Sequence, residues 1–200
     1  MQTFRYSHLP SELSVVHVAL FKDITNSAAL RGRIVRASQL EGLEGDSERE
    51  AVNFAFIDAR LICSILHLRT ATYQAILAQA QGSLRTKTVH SEILWALNPT
   101  NNITEAIRRY GVSDGTTSLI VVRVTSPGLK DVEKLMSSVL DGTLSPLEEL
   151  SRITDWASIK KYYKLNGEPA VKEASKDPGR ERFIVDEIVT SSVAMKSVMA

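Results

Sequence analysis

One cysteine, Cys63, stands in 200 residues. With no second thiol the chain can form neither an internal disulfide nor a cysteine-based zinc cluster, which fits a reducing compartment and an expectation of nucleus and cytoplasm. No apolar run reaches the roughly 18 residues that a membrane span needs. The opening residues MQTFRYSHLPSEL also lack the apolar core of a secretory signal, so no membrane partner is expected. An excess of one charge is missing too: 24 Lys and Arg against 23 Asp and Glu leave a formal net charge of +1. Recognition of a polyanion would have to come from a local patch. There is no Gly-rich loop ending in Gly-Lys-Ser/Thr and no G-x-G-x-x-G after a strand, so nucleotide hydrolysis by this chain is not expected. His8, His17, His67 and His90 are scattered, with no pair four residues apart and no carboxylate spaced to complete a metal site. Neither a metal nor a cofactor is expected.

What is present is 44% hydrophobic content, enough for one full core, and a single domain over residues 1–200 is the simplest organisation. Leu13 to Asp23 (LSVVHVALFKD) opens with β-branched residues after Pro10 and reads as a strand. Thr25 or Asn26 can cap a helix through Gln39, with Arg31, Arg33 and Arg36 left in water. Leu40 to Glu50 holds two glycines, five carboxylates and one arginine, and reads as a mobile acidic loop. Ser64 can cap a long helix toward Gln81 that ends before Gly82. Asp131 to Leu140 is a short helix, and Pro146 to Leu165 a further helical stretch. Asn166 to Gly179 has the composition of a surface linker, and the chain closes on a terminal helix with Phe183, Ile184, Ile188 and Val189 on one apolar side.

The best-defined stretch is Leu84 to Val124. Ser91 to Leu97 (SEILWAL) is read as a buried strand, and Asn98, Pro99, Thr100, Asn101 and Asn102 as a polar turn. Asn102 is a good N-cap, Glu105 can complete a capping box, and Ile103, Ala106, Ile107 and Tyr110 fall on one helical face. Gly111 supplies a left-handed stop, and Ser118 to Val124 (SLIVVRV) is a second strand. Strand, turn, helix, strand is the expected order. The whole points to a mixed α+β domain, with a small mixed or antiparallel sheet of about four strands packed with about seven to eight helices.

Chemistry has few footholds. Cys63 sits in an apolar stretch and reads as small hydrophobic filling. An enzyme acting alone would have only Asp58, His67, His90 and Glu92 to draw on, and no spacing brings them together. Arg85, Lys87 and His90 precede the SEILWAL segment, while the asparagine turn beyond it opens a helix whose NH groups can receive a phosphate; together they could form a single-strand nucleic-acid site. The plain alternative is an ordinary turn with solvated basic neighbours. KKYYK, Lys160 to Lys164, offers cations beside aromatics, although on a helix its tyrosines serve as core anchors.

The block RTKTVHSEILWALNPTNNITEAIRRYGVSDGTTSLIVV, Arg85 to Val122, resembles the signature of the PRPK-binding protein family, the small non-catalytic subunit of the KEOPS (EKC) complex. VALFKDITNSAALRGRI (Val18 to Ile34), FAFIDARLICS (Phe54 to Ser64) and ITDWASIKKYYKL (Ile153 to Leu165) are also similar to family segments in the same order, most closely those of fungal members. Ala59 departs from the proline common there. The resemblance implies no catalysis by this chain. It implies binding and stimulation of the atypical kinase/ATPase subunit, with the remaining subunits reached through that kinase. It further implies capture of the single-stranded CCA end of tRNA during threonylcarbamoyladenosine formation, and a role in telomere maintenance and transcription among fungal relatives. On this resemblance the tRNA contacts fall to Arg85, Lys87, Asn98, Thr100, Asn101, Asn102 and Ile103, and the kinase contacts to Ile184, Ile188 and Val189. A pure kinase scaffold without RNA contact stands as the alternative.

Overall fold

The computed structural model describes residues 1–199. In chain order its strands and α-helices are β1 (Gln2–Arg5), β2 (Val15–Lys22), α1 (Ser27–Gln39), α2 (Gly42–Ala51), β3 (Ala55–Asp58), α3 (Ile65–Ala80), α4 (Val89–Leu97), α5 (Ile103–Tyr110), β4 (Leu119–Thr125), α6 (Val132–Ser137), β5 (Thr143–Ser145), α7 (Leu150–Ile153), α8 (Trp156–Tyr162), α9 (Pro169–Ala174) and α10 (Pro178–Met199). The mixed α+β class is as expected, with five strands and ten α-helices among the described residues.

The sheet runs β1-β2-β4-β3, with β5 added beside β2, and every pairing is antiparallel. β2 and β4 form its spine, from Val15 opposite Thr125 to Phe21 opposite Leu119. Alternation along the pleat divides the side chains between two faces. Val16, Val18, Leu20, Ile120 and Val122 point to one side, against α3, α4 and α10; Ala19, Phe21, Leu119 and Val121 point to the other, against α1 and α6. Both faces are covered, which is why β4 is buried at every position.

Several local expectations give way to packing. The segment around Ser91 to Leu97 is a helix, not a strand. Thr88 and Ser91 form a reciprocal capping box at its start, and every residue of α4 except Ser91 is buried, so no polar face marks the helical period. The acidic stretch is helical over Gly42–Ala51: Arg33 grips Glu48 through two hydrogen bonds of 2.9 and 3.1 Å, and Arg49 donates to the Ala37 and Leu40 carbonyls. Between residues 166 and 179, α9 begins at Pro169 and buries Val171 and Ala174. The stretch from Pro146 to Leu165 is broken at Thr154 and Asp155, where the Thr154 hydroxyl donates to the Ile62 carbonyl, the Asp155 N–H donates to the Arg60 carbonyl, and the Asp155 carboxylate caps α8. Gly111 is extended, with φ −77° and ψ 171°. A glycine is needed there because a Cβ would lie 2.5 Å from the Ile107 carbonyl oxygen.

Candidate functional site

α4 carries the candidate site, with the basic loop at its N-terminus and the asparagine turn at its C-terminus. Nine residues of strand would have set these features about 30 Å apart. As a helix they span about 13 Å. Arg85 and Lys87 are both exposed. Their loop is held by Glu92, whose buried carboxylate accepts from the Arg85 N–H (3.0 Å), the Thr86 N–H (2.8 Å) and the Thr86 hydroxyl (2.7 Å). Buried charge is stable only when its lone pairs are used, and this carboxylate uses them to fix the backbone that presents the two cations.

The turn is built around Asn98, which has no exposed surface. Its amide donates to the Thr100 hydroxyl at 2.8 Å and the Thr100 carbonyl at 3.2 Å, and its oxygen accepts from Arg109 at 3.3 Å. Asn98 therefore shapes the turn from inside and presents no edge to a ligand. Thr100, Asn101, Asn102 and Ile103 are exposed. Asn102 caps α5 as expected, accepting from the Glu105 N–H at 2.9 Å. Glu105 does not return to Asn102. Its carboxylate accepts from Thr100 and Asn98 and pairs with Arg109 at 2.7 Å, and the Thr100 and Asn98 hydrogen bonds, with Arg109 beside them, hold its carboxyl below the usual range. Ile103 and Ile107, one turn apart, leave an exposed apolar strip beside the turn.

A residue that sequence reasoning missed closes this site. The Lys196 ammonium, from α10, donates to the carbonyls of Trp95, Asn98 and Thr100 and lies 3.9 Å from the centre of the Trp95 ring. Burial pulls its pKa down to about 8, against the pull of Glu92 in the other direction. One signal was available: Lys196 is the only charged residue from Thr190 onward, and it falls at helical spacing after Val185, Val189 and Val193.

The kinase candidates divide. Val189 has no exposed surface and belongs to the inner core, while Ile184 and Ile188 are half-buried against it. The outward-facing apolar residues of α10 are Phe183 (65% exposed), Met195 (51%) and Val198 (75%). Any partner of this helix meets those first. The helix is tied down by Ser64 to Asp186 at 2.9 Å, Gln74 to the Ala194 carbonyl at 3.0 Å and Lys160 to Glu181 at 2.5 Å.

The residues that a lone enzyme would need are engaged structurally, each with partners of its own. Asp58 pairs with Arg60 at 2.6 Å and accepts from its backbone N–H. His67 is buried and accepts from the Cys63 N–H, and His90 links Asn53 to the Val124 N–H. Of the KKYYK residues, the Tyr163 hydroxyl donates to the Leu97 carbonyl and the Tyr162 ring lies under Arg109, which makes both tyrosines anchors for the turn. An open groove on α1, of about 640 Å³ and lined by Arg31, Val35, Arg36 and Asp114 among others, gathers no catalytic constellation.

The family model described as "Kinase binding protein CGI-121" matches residues 21–197. The chain belongs to that family. It is 36% identical over 234 residues to the EKC/KEOPS complex subunit CGI121 of Cryptococcus neoformans var. neoformans serotype D, covering all of both chains. To the subunit of the same name from Neurospora crassa it is 33% identical, over 99% of each chain. To that of Aspergillus fumigatus it is 38% identical, over 82% of this chain and 84% of the relative. The match takes in α4, the asparagine turn and α10 through Ser197.

Proposed function

We propose that this CGI-121 family member is the small non-catalytic subunit of a KEOPS (EKC) complex. It binds and stimulates the atypical kinase/ATPase subunit through α10 and neighbouring surface, and holds the single-stranded CCA end of tRNA while other subunits form threonylcarbamoyladenosine. The observation that carries the RNA half is the asparagine turn: a rigid loop with Thr100, Asn101, Asn102 and Ile103 exposed, about one helix-length from two exposed cations. Amide side chains can read the edges of splayed bases, an isoleucine can pack on a base face, and the Arg85–Lys87 loop can neutralise phosphates. Family membership and the exposed outer face of α10 support the kinase half. Residence in nucleus and cytoplasm, and the telomere and transcription roles implied for fungal relatives, belong to the same proposal; imaging of a tagged chain tests the first.

The test combines co-elution with the purified kinase, ATP hydrolysis across the peak, and filter binding of intact tRNA against tRNA lacking CCA. A shared peak, raised hydrolysis and a preference for the intact end support the proposal. Equal binding of the two RNAs leaves a scaffold without CCA recognition, and separate peaks refute the kinase half. Lys87→Glu should weaken tRNA binding without altering the melting transition; unchanged binding removes Lys87 from the interface.

A further inference from the structure

The ammonium of Lys196 is unusual in what surrounds it. Buried lysines are normally stabilised by a carboxylate or deprotonated. This one is instead surrounded by the carbonyls of Trp95, Asn98 and Thr100 and the face of the Trp95 ring. Three donors meet three acceptors, which satisfies the ammonium completely. Two of the carbonyls lie at the C-terminal end of α4, that of Trp95, which also accepts from the Asn98 N–H at 3.2 Å, and that of the C-cap Asn98, and the helix dipole favours a cation there. The third belongs to Thr100 within the turn. Packing alone would be served by an apolar side chain at this point of the Val185, Val189 and Val193 stripe. An apolar side chain would leave those three carbonyls without the donors that Lys196 supplies.

We propose that Lys196 is a positioning residue that couples the end of α10 to the shape of the asparagine turn, so that a kinase seated on the outer face of α10 and an RNA end seated on the turn strengthen one another's binding. The kinase step and the RNA step rest on the function proposed above; the coupling of helix to turn does not. Its geometry is direct. Met195 and Val198, exposed on the outer face, flank Lys196 within one helical turn, and Gln74 to Ala194 is a hydrogen bond tying the helix down just before it. Helix ends open at low cost, and contact with a partner across Met195 and Val198 would suppress that opening. An opening that withdraws Lys196 leaves the Asn98 carbonyl to find water and the Thr100 carbonyl with only the Asn98 amide at 3.2 Å. A cavity of about 20 Å³ lined by Asn98, Pro99, Tyr163, Ser192 and Lys196 has room for about one molecule. Whatever stabilises the helix end therefore stabilises the turn, and by linkage the reverse holds.

The experiment compares wild type, Lys196→Met, which keeps the aliphatic stem and removes the donors, and Ser197→Ala, an exposed neighbour, as control. Amide exchange is followed at Thr100 to Asn102, and affinity is measured for a single-stranded RNA ending in CCA, with and without the purified kinase. Lys196→Met should lose at least about 5-fold in protection at the turn and about 5-fold in RNA affinity, while still unfolding in one cooperative transition and keeping co-elution with the kinase. The kinase should tighten RNA binding in wild type and in Ser197→Ala but not in Lys196→Met. Unchanged exchange at the turn overturns the proposal, as does loosened exchange with unaltered RNA affinity. If wild type binds no such RNA, the RNA function fails and the coupling is judged on exchange alone, with kinase binding to wild type expected to raise protection at the turn. If Lys196→Met does not fold, Lys196→Arg, which keeps the cation but cannot match three converging carbonyls, carries the same comparison.

Discussion

Replacing Glu92 by Gln tests how the basic loop is held. The carboxylate takes three donors, the Arg85 N–H, the Thr86 N–H and the Thr86 hydroxyl, at 3.0, 2.8 and 2.7 Å. Glutamine keeps the volume and one acceptor oxygen. Its amide nitrogen cannot accept, and it would sit where Oε1 lies 3.2 Å from the Arg85 N–H. A hydrogen bond to a charged group contributes about 1.5–3 kcal/mol net and a neutral one about 0.5–1.5, a difference of about 1 kcal/mol for each of three bonds. The loop is only half-buried and the lost charge no longer needs desolvation, so the sum falls to about 2 kcal/mol. For a chain of this size that lowers Tm by about 4–8 °C. Urea denaturation gives the free energy, and amide exchange at Arg85 and Thr86 gives the location. A Glu92→Gln protein within about 0.5 kcal/mol of wild type, with both amides as protected as before, would refute the assignment of Glu92 as the clamp of this loop.

Acid should destabilise the fold before carboxylates titrate. Burial holds His67 and His90 neutral, with pKa values down at about 3, Arg123 adding to burial at His90. In the unfolded chain each takes up a proton near pH 6.5. The unfolded state then binds more protons, so stability falls as pH drops below about 6.5, by roughly 4 kcal/mol for the pair at pH 5; equal urea midpoints at pH 7 and pH 5 would contradict this. Burial pushes the Cys63 thiol up, so iodoacetamide should label it only on unfolding, and rapid labelling of the native protein would show the thiol to be accessible. Val189→Ala should cost about 2 kcal/mol by opening a core void, whereas Phe183→Asp should leave Tm unchanged and weaken kinase co-elution. If Phe183→Asp co-elutes as wild type does, the outer face of α10 at that position is not the contact. Truncation from Val193 would also remove a buried valine and Lys196, so surface substitutions separate the partner contact from the core more cleanly.

The elements legible in the sequence are those whose signals are local. Asn102 and Ser64 cap the helices their positions suggest, and the β-branched runs of β2 and β4 pair as the spine of the sheet. α4 was not legible, because burial all round removes the polar face that reveals a helix, and SEILWAL then fits either period. The acidic helix α2 was hidden because its stability depends on Arg33, and on the Ala37 and Leu40 carbonyls that hold Arg49, lying before it in the chain. At the site, the turn and the loop were visible as composition. The two charged side chains that hold them, Glu92 and Lys196, were not, since each acts through backbone groups that sequence does not mark. In the sequence Asn98 reads as a ligand-facing amide, and only its buried hydrogen bonds reveal it as part of the frame.

The pairing of β2 with β4 has a consequence for how the chain is made. Val15 can pair with Arg5 at once, but it finds its partner on the β4 side only when Thr125 has been synthesised, and the core face of α3 and α4 is covered only when Val185, Val189 and Val193 follow. At about 5–20 residues per second, the interval between Thr125 and Lys196 lasts about 4–14 s. Through that time a growing chain carries an open apolar face that chaperones would have to shield. Because Lys196 follows Thr100 by 96 residues, the asparagine turn takes its final shape only after α10 has been made.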